Sequence, residues 1–264
     1  MAGTTYLQQL KFADPTSHKG QNGRLLLIGG SSLFHAASLW SLTVASRIVD
    51  LVHYASVPEN NEIVQEAKTE FRNGIVIRRE DIDAYIEEDD CILIGPGMDR
   101  SSDTENLTNV LLKKYPHKQW VIDAGALQML DVYLIPPHAI LTPHHQEFAS
   151  LVQKTHAMTP EQFAKEYHCI LLLKGPQDRI TDGEHTEIIS GGNAGMTKGG
   201  TGDVLAGLVA AITCTNDPFV TAVAASIINK AAGDALYTTV GPFFNATDLA
   251  NQIPKTMKRL LNTV

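Results

Sequence analysis

Only three of the 264 residues are cysteine, and Cys91, Cys169 and Cys214 lie far apart with no C-x-x-C pair. That excludes a disulfide framework and a cysteine zinc site, and it suits a reducing compartment. Basic residues are the minority: 21 Lys and Arg against 29 Asp and Glu leave a net charge of −8. A chain of that sign is not built to neutralise nucleic-acid phosphates, although a local nest of backbone N–H groups still accepts a small anion. Long apolar runs are missing as well. The N-terminal MAGTTYLQQLKFADPTSHKG is polar and lacks the apolar core of a signal peptide. Val204–Cys214, the most hydrophobic helical stretch, is too short to cross a bilayer. These absences predict a cytoplasmic protein with neither a nucleic acid nor a membrane as partner.

Two nucleotide motifs are also absent. There is no G-x-x-x-x-G-K-[ST], which excludes a P-loop protein. GPGMDR (Gly95–Arg100) lacks the third glycine of the dinucleotide fingerprint, which disfavours a Rossmann hydride-transfer enzyme.

Five short apolar runs are present, and each ends in small or polar residues: RLLLIGG (24–30), CILIGPG (91–97), WVIDAG (120–125), AILTPH (139–144) and CILLLKG (169–175). Apolar character without polar alternation marks strands covered on both faces. Helical patterns at 36–50, 103–114 and 147–152 separate them. Residues 181–190 read as a hairpin around Asp182-Gly183, and helices follow at 202–213, 218–238 and 245–261. Alternating strand and helix predicts a three-layer αβα sandwich around a mostly parallel sheet, as a single domain over 1–264. Five strand endings would then converge on one edge, where open α/β sheets bind their ligands.

Six of the twenty glycines fall between Gly191 and Gly202, just before the apolar helix. A glycine-rich loop feeding a helix N-terminus makes an anion site. Asp203 at that junction has a structural reading, a helix N-cap, and a chemical one, a base for a hydroxyl whose phosphoryl acceptor chemistry the loop supports.

Taken in order, GGS, GPG, VIDAGAL, LTPHHQEF, LLLKG and GNAGMTKGGTGDVLAG resemble the ADP/ATP-dependent NAD(P)H-hydrate dehydratases of the ribokinase-like superfamily, from about Arg24 to the C-terminus. The resemblance implies repair of hydrated NADH or NADPH. ATP or ADP, with Mg²⁺, phosphorylates the ring hydroxyl, and phosphate then leaves as the ring nitrogen pushes electrons. It implies a homo-oligomer, commonly a tetramer. It assigns catalysis to Asp203 as base with Gly202 and Gly200 in the anion hole. The hydrated cofactor falls to Ala36, Gly97, His144, Asn193 and Asp203. The nucleotide falls to Lys174, Gly175, Pro176, Gln177, Asp178, Thr201 and Gly202, and the metal to Glu147. Asp123 orients the site or caps the following helix. Some positions depart from the family pattern: His35, Gln146, and KGPQD with its acid Asp178, for which Lys198 is the expected compensating charge. Two other readings use the same residues: a small-molecule kinase for a vitamin-precursor alcohol, and a non-catalytic nucleotide-binding sensor. TPHHQE and GPG favour the dehydratase over the kinase, and the intact GGTGD opposes the sensor.

Overall fold

The computed structural model describes residues 2–69, 73–155 and 159–262. The five apolar runs form β1 (Arg24–Ile28), β4 (Cys91–Ile94), β5 (Gln119–Ile122), β6 (Ile140–Leu141) and β7 (Ile170–Leu173). They lie side by side in that order with every pairing parallel. The 181–190 hairpin extends to β8 (Gln177–Thr181) and β9 (Thr186–Ser190), added antiparallel beyond β7.

Two strands at the other edge were not legible as apolar runs: β2 (Leu51–Ser56) and β3 (Ile75–Arg78), both parallel. β2 reads LVHYAS, and its polar members interrupt the pattern. In the fold they are paired, as buried polar groups must be. His53 Nδ1 lies 2.9 Å from the Asp89 carboxylate, and the Tyr54 hydroxyl meets Ser38 Oγ at 2.7 Å. β3 is the edge strand, with Ile75 and Arg78 exposed.

Alternate side chains of one strand enter opposite layers. Leu25 and Leu27 join one core cluster, and Leu26 and Ile28 join the other. The first layer holds α1 (Ala2–Gln9), α2 (His35–Ala45), α9 (Thr201–Thr213), α10 (Pro218–Val240) and α11 (Ala246–Asn262). The second holds α4 (Ile82–Tyr85), α5 (Ser102–Lys114), α6 (Ala124–Met129), α7 (His145–Val152) and α8 (Pro160–Glu166). α3 (Pro58–Glu66) follows β2.

The helix expected over 36–50 stops at Ala45. Asp50 is drawn out of it, because its carboxylate accepts from Gly20 N at 2.6 Å and from Asn22, and its own N–H donates to Gly23 O. α9 is buried continuously from Val204 to Thr213. Gly207 lets α2 come close, since a Cβ there would stand 2.6 Å from Ser41 O. Among the described residues α10 alone is long and apolar enough to cross a membrane by length and composition. Of an apolar 18-residue stretch of it, 61% is buried inside the fold, as in the core helix of a globular protein.

Candidate active site

The carboxyl ends of β1, β4, β5, β6 and β7 meet the N-terminus of α9 along one edge of the sheet. The exits of β1 and β4 are stitched together by Gly30 N donating to Pro96 O at 2.7 Å. Gly97 takes φ +73°, and a Cβ on it would meet Phe34 O at 2.8 Å and Ala37 Cβ at 3.0 Å. Its conformation therefore lets α2 start close against the turn. The α2 residue that meets Gly97 is Ala37, whereas Ala36 is exposed beside it. His35 opens α2, with Nδ1 3.2 Å from Asn60 Oδ1.

α9 begins one residue earlier than its apolar pattern. Gly200 occupies the N-cap position at φ +92°, and a Cβ there would lie 2.2 Å from the Trp40 ring. Asp203 is thus the third residue of the helix, not its cap. Ser41 Oγ donates to its carbonyl at 2.7 Å, which ties α9 to α2. No side chain among the described residues donates to its carboxylate. Burial, then the charge of Asp123, pushes the Asp203 pKa up to about 7, against the pull of Lys174.

Lys174, just past β7, brings a cation to this end. Its Nζ lies 3.0 Å from Asp123 Oδ1, which also accepts from Thr142 Oγ1 at 2.8 Å. Asp123 sits where a cap for α6 would be but makes no cap hydrogen bond, so it orients Lys174 instead. Burial opposes the charge on Lys174. Asp123, Glu147 and Asp203 outweigh it and raise its pKa. A Cβ on Gly202 would stand 3.4 Å from Lys174 Nζ, so the helix N-terminus and the ammonium face one space.

His144 and Glu147 cap α7 reciprocally. The His144 ring accepts from Gln146 N and Glu147 N at 3.1 and 3.2 Å, and Glu147 Oε2 accepts from His144 N at 2.9 Å. Gln128 Nε2 donates to the other Glu147 oxygen at 2.9 Å. Both oxygens of the buried Glu147, the sequence candidate for metal, therefore have partners inside the protein. Among the described residues no group of three or more His, Cys, Asp or Glu is arranged to hold a metal ion.

A cavity of about 590 Å³ opens here, lined by His144, Lys174, Gly175, Pro176, Asp178, Asn193, Thr201 and Gly202 from the predicted set. Gln177 is outside it, exposed, with Nε2 donating across the hairpin to Ser190 Oγ at 3.1 Å. The Thr201 hydroxyl is turned back to Met196 O at 2.6 Å. Asn193 closes its own turn, accepting from Gly195 N at 3.0 Å and donating to Asp234 at 3.1 Å.

Lys198, expected to offset Asp178, instead donates to Pro242 O and lies 5.3 Å from the Phe244 ring centre. Lys230 of α10 does that work. Its Nζ is 3.2 Å from Asp178 Oδ1 with both side chains buried (7% and 6% exposed), and it donates to Gly175 O at 2.9 Å and Gly191 O at 3.2 Å. The Asp178 carboxylate also accepts from Gly175 N at 2.9 Å and Ser226 Oγ at 2.7 Å. Sequence reading missed Lys230 and its neighbour Asn229, although a lone cation inside PFVTAVAASIINKAAGDAL was a visible signal that a buried partner had to exist.

A helix N-terminus built on glycine, one oriented ammonium and a carboxyl poised near neutrality can hold a phosphoryl group and take a proton from a hydroxyl. They are set at the carboxyl edge of a mostly parallel αβα sheet, and the fold is ribokinase-like. A ribokinase-like superfamily protein of Enterococcus faecalis shares the fold, with a TM-score of 0.84 at 22% identity over 97% of this chain and 94% of its own. So does the ADP/ATP-dependent NAD(P)H-hydrate dehydratase of Bacillus subtilis co-crystallized with ATP/Mg²⁺, with a TM-score of 0.82 at 24% identity over 98% of this chain and 97% of its own. The family model described as NAD(P)H-hydrate dehydratase matches residues 25–255. The ADP-dependent (S)-NAD(P)H-hydrate dehydratase of Nitrosopumilus maritimus is 33% identical over 266 residues, covering 92% of this chain and 91% of its own. The chain belongs to the NAD(P)H-hydrate dehydratase family. It spans about half the length of other relatives, such as the bifunctional NAD(P)H-hydrate repair enzyme Nnr of Methanocaldococcus jannaschii, where 34% identity covers 96% of this chain and 51% of that one.

Proposed function

We propose that this chain catalyses the nucleotide-dependent dehydration of hydrated NADH or NADPH. The observation that carries the reading is Asp203: a carboxyl in the first turn of α9, with a pKa near 7 and, among the described residues, no side chain donating to it, beside Lys174. In this reading the ring hydroxyl lies against Asp203 and the Gly97 turn, with His144 at the mouth. Asp203 takes the hydroxyl proton as the oxygen bonds to the terminal phosphorus of ATP or ADP and the bond to the departing nucleotide breaks. Lys174 and the N–H groups at Gly200–Gly202 bear the charge that develops on the phosphoryl oxygens. The phosphate then leaves the ring carbon with its bonding electrons. The ring nitrogen supplies the electrons, and loss of a neighbouring C–H proton restores the dihydropyridine.

Mg²⁺ is bound through one or two carboxylates plus phosphates rather than in an all-protein cage. Glu147 keeps both oxygens inside the protein, so Asp203 and the second oxygen of Asp123 are the carboxylates that fit that mode, beside Lys174. Mg²⁺ arriving on the nucleotide would supply charge neutralisation there. Cytoplasmic placement and a homo-oligomer, with a tetramer as its form, belong to the same proposal. The exposed Tyr237, Val240 and Phe243 at the end of α10 offer apolar area for subunit contact.

The test mixes the protein with hydrated NADH, Mg²⁺ and either ATP or ADP, and follows the near-ultraviolet absorbance of the dihydronicotinamide ring. Recovery that requires nucleotide and disappears in Asp203→Asn is expected. Folded protein that restores no absorbance with either nucleotide would overturn the proposal.

A further inference from the structure

Among the described residues, the cavity holds a buried polar side chain that the fold leaves unserved. Asn229 of α10 is 5% exposed and lines the cavity, and its Oδ1 is buried with no hydrogen-bond partner. Among the described residues no hydrogen bond reaches either end of its amide. The adjacent Lys230 cannot serve it, being committed to Asp178 and to the carbonyls of Gly175, Pro176 and Gly191. Buried polar groups are almost always paired, so an orphan inside a ligand cavity calls for a partner that the ligand brings. The phosphate-holding groups, Lys174 and the α9 N-terminus, line the same cavity, and Pro176, Met196 and Leu205 add apolar wall suited to the faces of a flat ring.

We infer that the Asn229 amide reads the base of the bound nucleotide and selects adenine through its N6/N7 edge; this rests on the nucleotide-dependent reading above. An amide sets one acceptor beside one donor, which matches the N6 amine and N7 of adenine. Guanine offers two acceptors, O6 and N7, on the same edge and would leave Oδ1 facing a carbonyl.

Calorimetric titration of the full chain with ADP and with GDP, each with Mg²⁺, tests this. Wild-type protein is expected to prefer ADP about tenfold or more, as one well-made buried hydrogen bond allows. Asn229→Leu, close in volume, is expected to weaken ADP about tenfold and to leave GDP within about twofold. Its melting temperature is expected to be equal or higher, because an unpaired buried amide is gone. Asn229→Ala is the companion should the leucine not fit, with the same expected loss of preference. Equal weakening of ADP and GDP would make Asn229 a structural residue, and equal binding of the two bases by wild type would equally overturn the assignment. Adenine selectivity that depends on Asn229, in a protein that turns over no hydrated cofactor, would sink the dehydratase reading and leave this one standing. Turnover with base choice indifferent to Asn229 would do the reverse.

Discussion

Asp203 is where burial and charge act on one carboxyl with opposite consequences for stability and chemistry. Held protonated to about pH 7 when folded, against 3.8 for the free group, it binds more protons folded than unfolded between those values. Stability therefore falls as pH rises across that window, and the penalty is complete above about pH 7. Asp203→Asn is expected to melt a few degrees higher than wild type at pH 8, with the gap closing toward pH 4 in thermal scans. The same substitution removes the proposed base, so activity should fall about 10²–10⁴-fold. Wild-type kcat/KM should climb about tenfold per pH unit up to about 7 and then level, because only the ionised carboxylate accepts the proton. A profile flat from pH 5 to 8 would remove Asp203 from that role. The glycines beside it differ in kind. Gly200→Ala places a methyl 2.2 Å from Trp40 at a positive φ, whereas Gly202→Ala finds only ordinary contact at 3.4 Å. The first should destabilise by about 2 kcal/mol or more, and the second should leave the melting temperature nearly unchanged while crowding Lys174.

At the level of elements, two ties position the cavity walls. The β7–β8 turn is fastened to α10 by Lys230 and Asp178. Lys230→Met strands a buried carboxylate and is expected to cost about 3–5 kcal/mol in urea unfolding, while the double change Lys230→Met with Asp178→Leu should cost much less. Additive losses would show that the pair does not act as a unit. α7 is held by the His144–Glu147 capping box, and His144→Ala is expected to cost about 1 kcal/mol. The start of α5, expected at Asp103, falls at Ser102, where Ser101 Oγ caps the helix by accepting from Thr104 N. Helix bounds were misjudged where a distant segment decided the end. Nothing in residues 36–50 announces that Asp50 will be claimed by the backbone of Gly20 and Asn22.

For the whole molecule, the sheet gathers the five legible strands into one block, β1-β4-β5-β6-β7, so that their small and polar endings meet the α9 N-terminus. A ligand held by residues from that many elements stabilises only the folded chain. ADP at about one hundred times its dissociation constant should add about 2.7 kcal/mol, read as a melting temperature that rises with ADP concentration. No shift with either ADP or ATP would count against the nucleotide site. β2 escaped the sequence reading because its polar residues, His53 and Tyr54 above all, are satisfied by partners from other elements, Asp89, Ser38 and Asn60, whereas β3 is a four-residue edge strand.

What the sequence determined by itself was local in cause: apolar runs long enough for buried strands, the glycines that free the backbone before α9, and the acid placed in its first turn. Those suffice for the layer architecture and for Asp203, because periodicity and backbone freedom are properties of neighbouring residues. Tertiary structure alone decided what depends on contact between distant ones. Lys230 rather than Lys198 neutralises Asp178, Gln128 of α6 takes the second oxygen of Glu147, and Gln177 is turned out of the cavity. Only the packed protein raises the Asp203 pKa to about 7, since desolvation and the fields of Asp123 and Lys174 exist only once the ends of β5 and β7, 80 and 29 residues before Asp203, have been brought to the start of α9.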